Sequence, residues 1–251
     1  MAVKGVFFDL YGTLYKYGNM NQAWNDWLDT FYKNFLLFDK NLTRESLSAA
    51  CGGFFSKEEP LVCNSNLSVF ENRILRLSEE LNYNIPPEFI SNIAEENLAA
   101  WQKHISIDEQ AIPILDILKN NYILGLISNF DHPEHVKKII NQDKMDIYFS
   151  SITISGKVGF KKPDKRIFDT ALNKTNLKPE EVLFVGDAND DIEGANAAGL
   201  IPVFINRELK SEEMLDYNQI EKKHRHIKNK KLFTITNLGQ LEAIINEINE
   251  V

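Results

Sequence analysis

Cysteine is scarce in this sequence, and long apolar runs are missing from it. Only Cys51 and Cys63 occur in 251 residues, without Cys-x-x-Cys spacing or neighbouring histidines. This pattern argues against a disulfide framework and a structural zinc site and fits a reducing compartment. No run of about 18 apolar residues occurs, and the first residues lack a signal-peptide pattern. We therefore expect a cytoplasmic protein with no membrane partner.

Positive charge is also in short supply. The formal net charge is -8, and charged residues make up 25% of the chain, which argues against a general nucleic-acid binder. The basic cluster at residues 222–231 is interpreted as a solvated surface segment. What the chain does have is a 43% share of hydrophobic residues, enough to bury the core of one large domain or two small ones.

Two hydrophobic patterns divide the chain. Residues 4–9 are apolar and predict a buried strand, and beyond about residue 105 short apolar strands alternate with helical segments. Residues 16–104 instead place apolar side chains at helical spacing. We predict an α/β fold: a Rossmann-like parallel-sheet core formed by residues 1–15 and 105–251, interrupted by an all-helical cap domain. Ligands bind beyond the carboxyl ends of such strands, so we expect the insert to act as a lid.

Helix-start signals support this division. Thr43 and the pair Pro86-Pro87 predict two helix starts within the insert. Asn237 with Gln240 predicts a cap on a closing helix.

Polar side chains follow four successive predicted strands or lie in the loops between them. An aspartate after a strand is often only a helix cap, but four such groups in order at one sheet edge are hard to explain by capping. The groups are Asp9, Gly12 and Thr13; Ser128 and Asn129; Lys162; and Asp187 with Asp191.

These motifs resemble those of the haloacid dehalogenase superfamily of hydrolases. The matching stretches are "DLYGTL", "LISN", "KKPDKRIF" and "VGDANDDIEGANAAG", which together cover nearly the whole predicted core. The insert resembles the helical cap of that superfamily, although its own sequence carries no signature. The resemblance places the functional lysine directly before the proline, which selects Lys162 over Lys161.

The chemistry of the residues agrees with that role. The Asp9 carboxylate is the candidate nucleophile, because it can attack phosphorus or carbon and leave an aspartyl ester for water to cleave. Thr13 and Ser128 are candidate hydroxyl donors, backbone amides near Gly12 and Asn129 can add further donors, and the catalytic lysine brings positive charge.

A magnesium site is expected beside the nucleophile. Asp9, Asp187 and a backbone carbonyl supply the hard oxygen ligands that Mg²⁺ prefers, and the resemblance implies that this carbonyl belongs to Tyr11. Asp191 lies one helical turn beyond Asp187 and is expected to orient it or to bind metal-bound water. Asp190 is interpreted as a solvated residue.

Tyr11 bears on whether the protein is a phosphatase or a dehalogenase. The resemblance implies that most phosphatases of the superfamily have a second aspartate there, which protonates the leaving group, whereas Asp-x-Tyr-Gly-Thr resembles the 2-haloacid dehalogenase branch. The acidic motif around Asp187 and Asp191 is instead the metal-binding version, because extra carboxylates require a cation to offset them. Alternatively, Tyr11 is only an aromatic lining residue.

We therefore predict a magnesium-dependent phosphohydrolase that acts on a small phosphorylated metabolite through an aspartyl-phosphate intermediate and favours good leaving groups. A 2-haloacid dehalogenase-type hydrolase and a catalytically weak binding protein remain alternatives. The sequence leaves the oligomeric state, monomer or homodimer, open and does not name the substrate.

Overall fold

The computed structural model describes residues 2–59, 66–207 and 232–250. The basic cluster at 222–231 and Cys63 lie outside the described residues. No helix in these described ranges combines the length and the apolar character that crossing a membrane requires.

The chain divides into two compact units. We call the first the α/β unit; it consists of Met1–Lys16, Ile107–Phe130 and Ile140–Val251. We call the second the helical unit; it consists of Tyr17–Ser106 and Asp131–Ile139.

A six-stranded parallel sheet forms the centre of the α/β unit, in the order β5-β4-β1-β6-β7-β8. Its strands are short, nearly continuous apolar runs, as expected for a sheet covered on both faces. This sheet confirms the predicted α/β, Rossmann-like fold class. The strands are β1 (Gly5–Phe8), β4 (Ile123–Ser128), β5 (Ser151–Ile154), β6 (Val182–Gly186), β7 (Ile201–Ile205) and β8 (Phe233–Ile235). Two further strands, β2 (Tyr15–Tyr17) and β3 (Ile105–Ile107), pair with each other where the chain passes between the units.

Helices connect the strands of this sheet. They are α5 (Ala111–Leu118), α6 (Pro133–Gln142), α7 (Ser155–Val158), α8 (Lys165–Thr175), α9 (Asn189–Ala198) and a last helix, Leu241–Asn249. The helix α6 begins in the helical unit and ends in the α/β unit. Phe7, Ile127, Phe168 and Phe184 pack in one buried cluster, which fixes α8 against the sheet.

The predicted cap of the last helix is wrong. Asn237 makes no capping hydrogen bond, and a short 3₁₀ turn, Leu238–Gln240, precedes the helix. The Gln240 side chain instead accepts a hydrogen bond from the Thr236 amide at 2.7 Å. A side chain that satisfies the end of β8 is not free to cap the helix.

The described part of the helical unit contains the helices α1 (Met20–Phe35), α2 (Arg44–Ala50), α3 (Val69–Glu80) and α4 (Pro87–Gln102). Thr43 caps α2 and Pro87 opens α4, as predicted. Aromatic side chains fill the core: the Trp27 ring stacks on Phe31 at 4.5 Å and meets Phe54 edge-on at 5.4 Å. Cys51 is buried as a small apolar residue, as predicted.

Candidate active site

The central position of β1 brings three predicted site residues to one sheet edge. β1 pairs in parallel with β4 on one side and β6 on the other. Asp9 follows β1, Ser128 ends β4, and Asp187 follows β6. Parallel strands end at the same edge, so these three residues lie at adjacent strand ends.

Lys162 enters the site from the loop before α8. Its Nζ donates to Asp9, lies 2.6 Å from Asp191 Oδ1, and donates to the Ile127 carbonyl at 3.2 Å. Asn129 fixes this loop, because its Oδ1 accepts from the Lys162 amide at 2.8 Å and its Nδ2 donates to the Lys162 carbonyl at 3.0 Å. The Asn129 side chain is thus committed to placing the lysine.

Asp191 is held by the first turn of α9. Its Oδ2 accepts a hydrogen bond from the Ala188 amide at 3.0 Å, and its side chain is buried. A methyl group at Gly186 would overlap this carboxylate. Glycine at the end of β6 therefore makes room for Asp191, while Asp190 is exposed, as its interpretation as a solvated residue requires.

The turn after Asp9 depends on Gly12. Its φ is 91°, in the left-handed region, and a side chain there would overlap the Asp187 carboxylate. The Gly12 amide donates to the Tyr15 carbonyl at 2.7 Å. That amide, a candidate substrate donor in the sequence, therefore closes the turn.

The three carboxylates form an electrostatically unfavourable group. Oxygen atoms of Asp9, Asp187 and Asp191 lie within 4.8 Å of one another. Burial raises the pKa of Asp9 to about 7, with Lys162 opposing the rise and Asp191 adding to it. Burial and Asp191 raise the pKa of Asp187 to about 6. Three carboxylates against one ammonium leave an excess of negative charge, and this donor set fits a hard divalent cation.

Two buried hydroxyl groups complete the site. Among the described residues, neither Thr13 Oγ1 nor Ser128 Oγ has a hydrogen-bond partner. Leaving a buried hydroxyl unpaired costs free energy, so such groups in a folded protein call for an explanation. Both belong to the strand-end segments that also supply Asp9 and Asn129, where they can donate to an anionic oxygen.

Tyr11 contributes a buried aromatic ring two residues after the candidate nucleophile Asp9. Its ring stacks on Phe130 at 5.1 Å and lies 6.0 Å from the Tyr15 ring. Only 7% of the residue is exposed. A buried aromatic side chain therefore occupies the position where the resemblance implies a carboxylic acid in most phosphatases of the superfamily.

Sequence reasoning missed Arg207. It lies just beyond β7, and its guanidinium donates to the carbonyls of Gly12 and Thr13 and pairs with Asp108. The available signal was its position: it follows a strand of the same parallel sheet and therefore emerges at the same edge.

His132 and His135, two histidines close together in the sequence, lie in the helical unit and bond each other through the His135 amide and His132 Nδ1.

Comparison with known proteins identifies the family. The model of the haloacid dehalogenase-like hydrolase family matches residues 3–199. The chain therefore belongs to the haloacid dehalogenase-like hydrolases, which confirms the resemblance of its motifs.

Individual relatives carry several names. The chain is 37% identical over 101 residues to a glyceraldehyde 3-phosphate phosphatase from Methanothermobacter thermautotrophicus, covering 40% of this chain and 44% of that one. It is 30% identical over 128 residues to a phosphoserine phosphatase from Thermus thermophilus, covering 51% of each. The chain thus spans about half the length of these relatives. A solved 2-haloacid dehalogenase from Pseudomonas syringae shares the fold with a TM-score of 0.69 at 21% identity, covering 98% of this chain and 99% of that one.

Proposed function

We propose that this protein is a magnesium-dependent phosphohydrolase that acts on small phosphorylated metabolites through an aspartyl-phosphate intermediate. The observation that carries the proposal is the cluster of Asp9, Asp187 and Asp191 with a single lysine. A dehalogenase expels halide and has no need of extra carboxylates, whereas a phosphatase can use them to hold a cation. The names of the two relatives described above support a phosphorylated substrate.

Asp9, Asp187 and the Tyr11 backbone carbonyl would hold the magnesium ion, and Asp191 would orient Asp187 or a water of the ion. When bound, the ion supplies positive charge that neutralises phosphate oxygens. The hydroxyls of Thr13 and Ser128, which have no hydrogen-bond partner among the described residues, donate to those oxygens.

The reaction proceeds in two displacements at phosphorus. In the first, an Asp9 oxygen forms a bond to phosphorus while the bond between phosphorus and the ester oxygen breaks, and the leaving group departs with its electron pair. In the second, water attacks the aspartyl phosphate and releases inorganic phosphate and the free carboxylate. Lys162 stays against Asp9 and stabilises its negative charge before attack and after release.

The direct test is a substrate panel run with and without magnesium that measures both phosphate and halide release. We expect magnesium-dependent phosphate release. Halide release from a 2-haloacid without magnesium would favour the dehalogenase. If neither product forms and a fluoride-based phosphate mimic with magnesium leaves the melting temperature unchanged, the active-site interpretation is weakened and the binding-protein alternative is favoured.

Tyr11 restricts the leaving group in this proposal. A phenol with an ordinary pKa near 10 is a poor proton donor at neutral pH, so alkyl phosphates, whose leaving oxygen requires a proton, should react far more slowly than p-nitrophenyl phosphate. General acid catalysis contributes about 10²–10⁴-fold. We therefore expect Tyr11→Asp to raise turnover of an alkyl phosphate at least about tenfold relative to p-nitrophenyl phosphate.

The matched control is Tyr11→Phe, which removes the hydroxyl but adds no acid. It should leave the ratio of the two rates unchanged. Equal rates on both substrates in the wild-type protein, or no selective gain in Tyr11→Asp, would contradict a restriction by Tyr11.

A further inference from the structure

Arg207 binds the turn that follows the nucleophile. Its Nη1 donates to the Gly12 carbonyl, and its Nη2 donates to the Thr13 carbonyl at 2.6 Å. Both residues of the turn are buried, and a buried carbonyl without a donor costs free energy. One guanidinium therefore satisfies two adjacent carbonyls of the segment that connects Asp9 to the Thr13 hydroxyl.

The guanidinium is itself held in place by Asp108. Its Nε and Nη2 donate to Asp108 Oδ2 at 3.2 and 2.9 Å, and only 5% of Asp108 is exposed. Asp108 is fixed in turn, because its amide donates to the Leu14 carbonyl at 2.9 Å and its Oδ1 accepts from the Gln110 amide at 2.8 Å. The arginine is thus braced on both sides.

Only arginine has the geometry for this set of contacts. Its planar fork presents donors on three nitrogens in fixed directions, whereas lysine presents all its donors from one nitrogen. Two carbonyls and one carboxylate arranged around the fork use all three nitrogens. The pattern suits a rigid clamp better than a general counter-charge.

We propose that Arg207 is a positioning residue for catalysis, which holds the Gly12–Thr13 turn so that the Asp9 carboxylate and the Thr13 hydroxyl keep a productive alignment, with Asp108 fixing the guanidinium. This inference rests on the proposed phosphohydrolase function. Arg207 donates to backbone oxygens of the turn, so it acts through Asp9 and Thr13. Displacing a reacting group by about 1 Å can cost roughly 100-fold in rate.

The test compares Arg207→Ala, Arg207→Lys and Asp108→Asn with the wild-type protein. The matched control is Lys4→Ala, which breaks an exposed ion pair with Glu181 at the opposite end of β1. For each protein we would measure kcat and KM with p-nitrophenyl phosphate, the melting temperature, and the rise in melting temperature caused by Mg²⁺ alone.

We expect Arg207→Ala to lower kcat by roughly 30–100-fold while KM changes less than about threefold, because alignment is lost more than binding. The Mg²⁺-induced rise in melting temperature should shrink, since the proposed ligands Asp9 and Tyr11 directly precede the turn. Methylguanidinium at a non-denaturing concentration should restore part of kcat in Arg207→Ala only. The kcat values of Arg207→Lys and Asp108→Asn should lie between those of Arg207→Ala and the wild type, and the kcat of Lys4→Ala should match the wild type.

Wild-type kcat in Arg207→Ala, or full activity in Arg207→Lys, would overturn the assignment. So would a general loss of structure in Arg207→Ala, seen as a lower melting temperature that methylguanidinium does not reverse and as parallel losses of kcat and affinity. Failure of the proposed function is distinguished from failure of the positioning role, because the wild-type protein itself would then lack turnover. In that case the Mg²⁺-induced rise in melting temperature tests the positioning role, and an equal rise in Arg207→Ala and wild type would reject it.

Discussion

The helical unit and the candidate active site of the α/β unit treat their buried carboxylates in opposite ways. In the helical unit, burial acts to raise the pKa of Glu71, but hydrogen bonds from Ser68 and Ser91 outweigh it and hold the pKa below its ordinary value. In the α/β unit, burial raises the pKa of Asp9 to about 7 even though Lys162 donates to it. One carboxylate is matched by its surroundings, and the other is crowded by like charges.

The difference separates structural from chemical use of buried polar groups. Arg73 in the helical unit donates to Asp131 at 2.8 Å and to the Lys57 carbonyl at 2.8 Å, and such satisfied networks serve the fold. The α/β unit instead places the like-charged carboxylates of Asp9, Asp187 and Asp191 together. Groups that a fold leaves unmatched are available to a substrate.

Removing the proposed nucleophile should give the largest effect and should test the chemical half of the comparison. We expect Asp9→Asn to lower phosphatase turnover by a factor of about 10³ or more, because an amide cannot form the aspartyl ester. The variant should remain folded, since it relieves crowding among carboxylates. Steady-state kinetics and circular dichroism check both points.

Asp190→Asn is the matched control, because Asp190 is exposed beside the buried Asp191. Its turnover should stay within about twofold of wild type, as for most surface substitutions. A comparable loss in both variants would mean that Asp9 has no special role.

The largest stability effect should come from the helical unit. Arg73→Met removes the ion pair with the largely buried Asp131 carboxylate, and we expect a loss of about 3 kcal/mol in the free energy of unfolding. Arg76→Met, which breaks an exposed pair with Glu80, should cost less than about 0.5 kcal/mol. Urea denaturation measures both, and equal losses would refute the distinction between buried and exposed pairs.

A smaller effect should appear in the pH dependence of stability. Burial, followed by the neighbouring His132, lowers the pKa of His135 to about 4. The folded state therefore resists protonation, so this contribution is complete above the unfolded pKa near 6.5 and is lost as the pH falls toward 4. Between pH 7.5 and pH 5 the loss amounts to about 2 kcal/mol. His135→Gln should flatten the measured slope, and an unchanged slope would count against the histidine.

Much of the site could be predicted from the sequence because parallel strands end at one edge. Asp9, Ser128 and Asp187 each follow an apolar run, and the alternation of strands and helices was enough to expect them together. Arg207 follows a strand too, but its reach to the Gly12 carbonyl depends on the path of a long side chain, which no local pattern records.

Other features could not be predicted from the sequence, for different reasons. The helix α5 is apolar around much of its surface and contains Pro113, so it lacks a clear polar face that would reveal its period. The assignment of Asp131–Ile139 to the helical unit depends on long-range contacts such as that between Arg73 and Asp131. Contacts between segments distant in sequence leave no periodic trace.

Because β1 lies in the middle of the sheet, the order of synthesis and the order of assembly differ. The segment Tyr17–Ser106 is completed before either sheet neighbour of β1 has been made, since β1 pairs with β4 and β6. Long-range parallel pairing is slow to form, and domains fold as units during synthesis. The strand β1, which directly precedes Asp9, thus leaves the ribosome before Tyr17–Ser106 but is enclosed on both sides only after residue 186 has emerged.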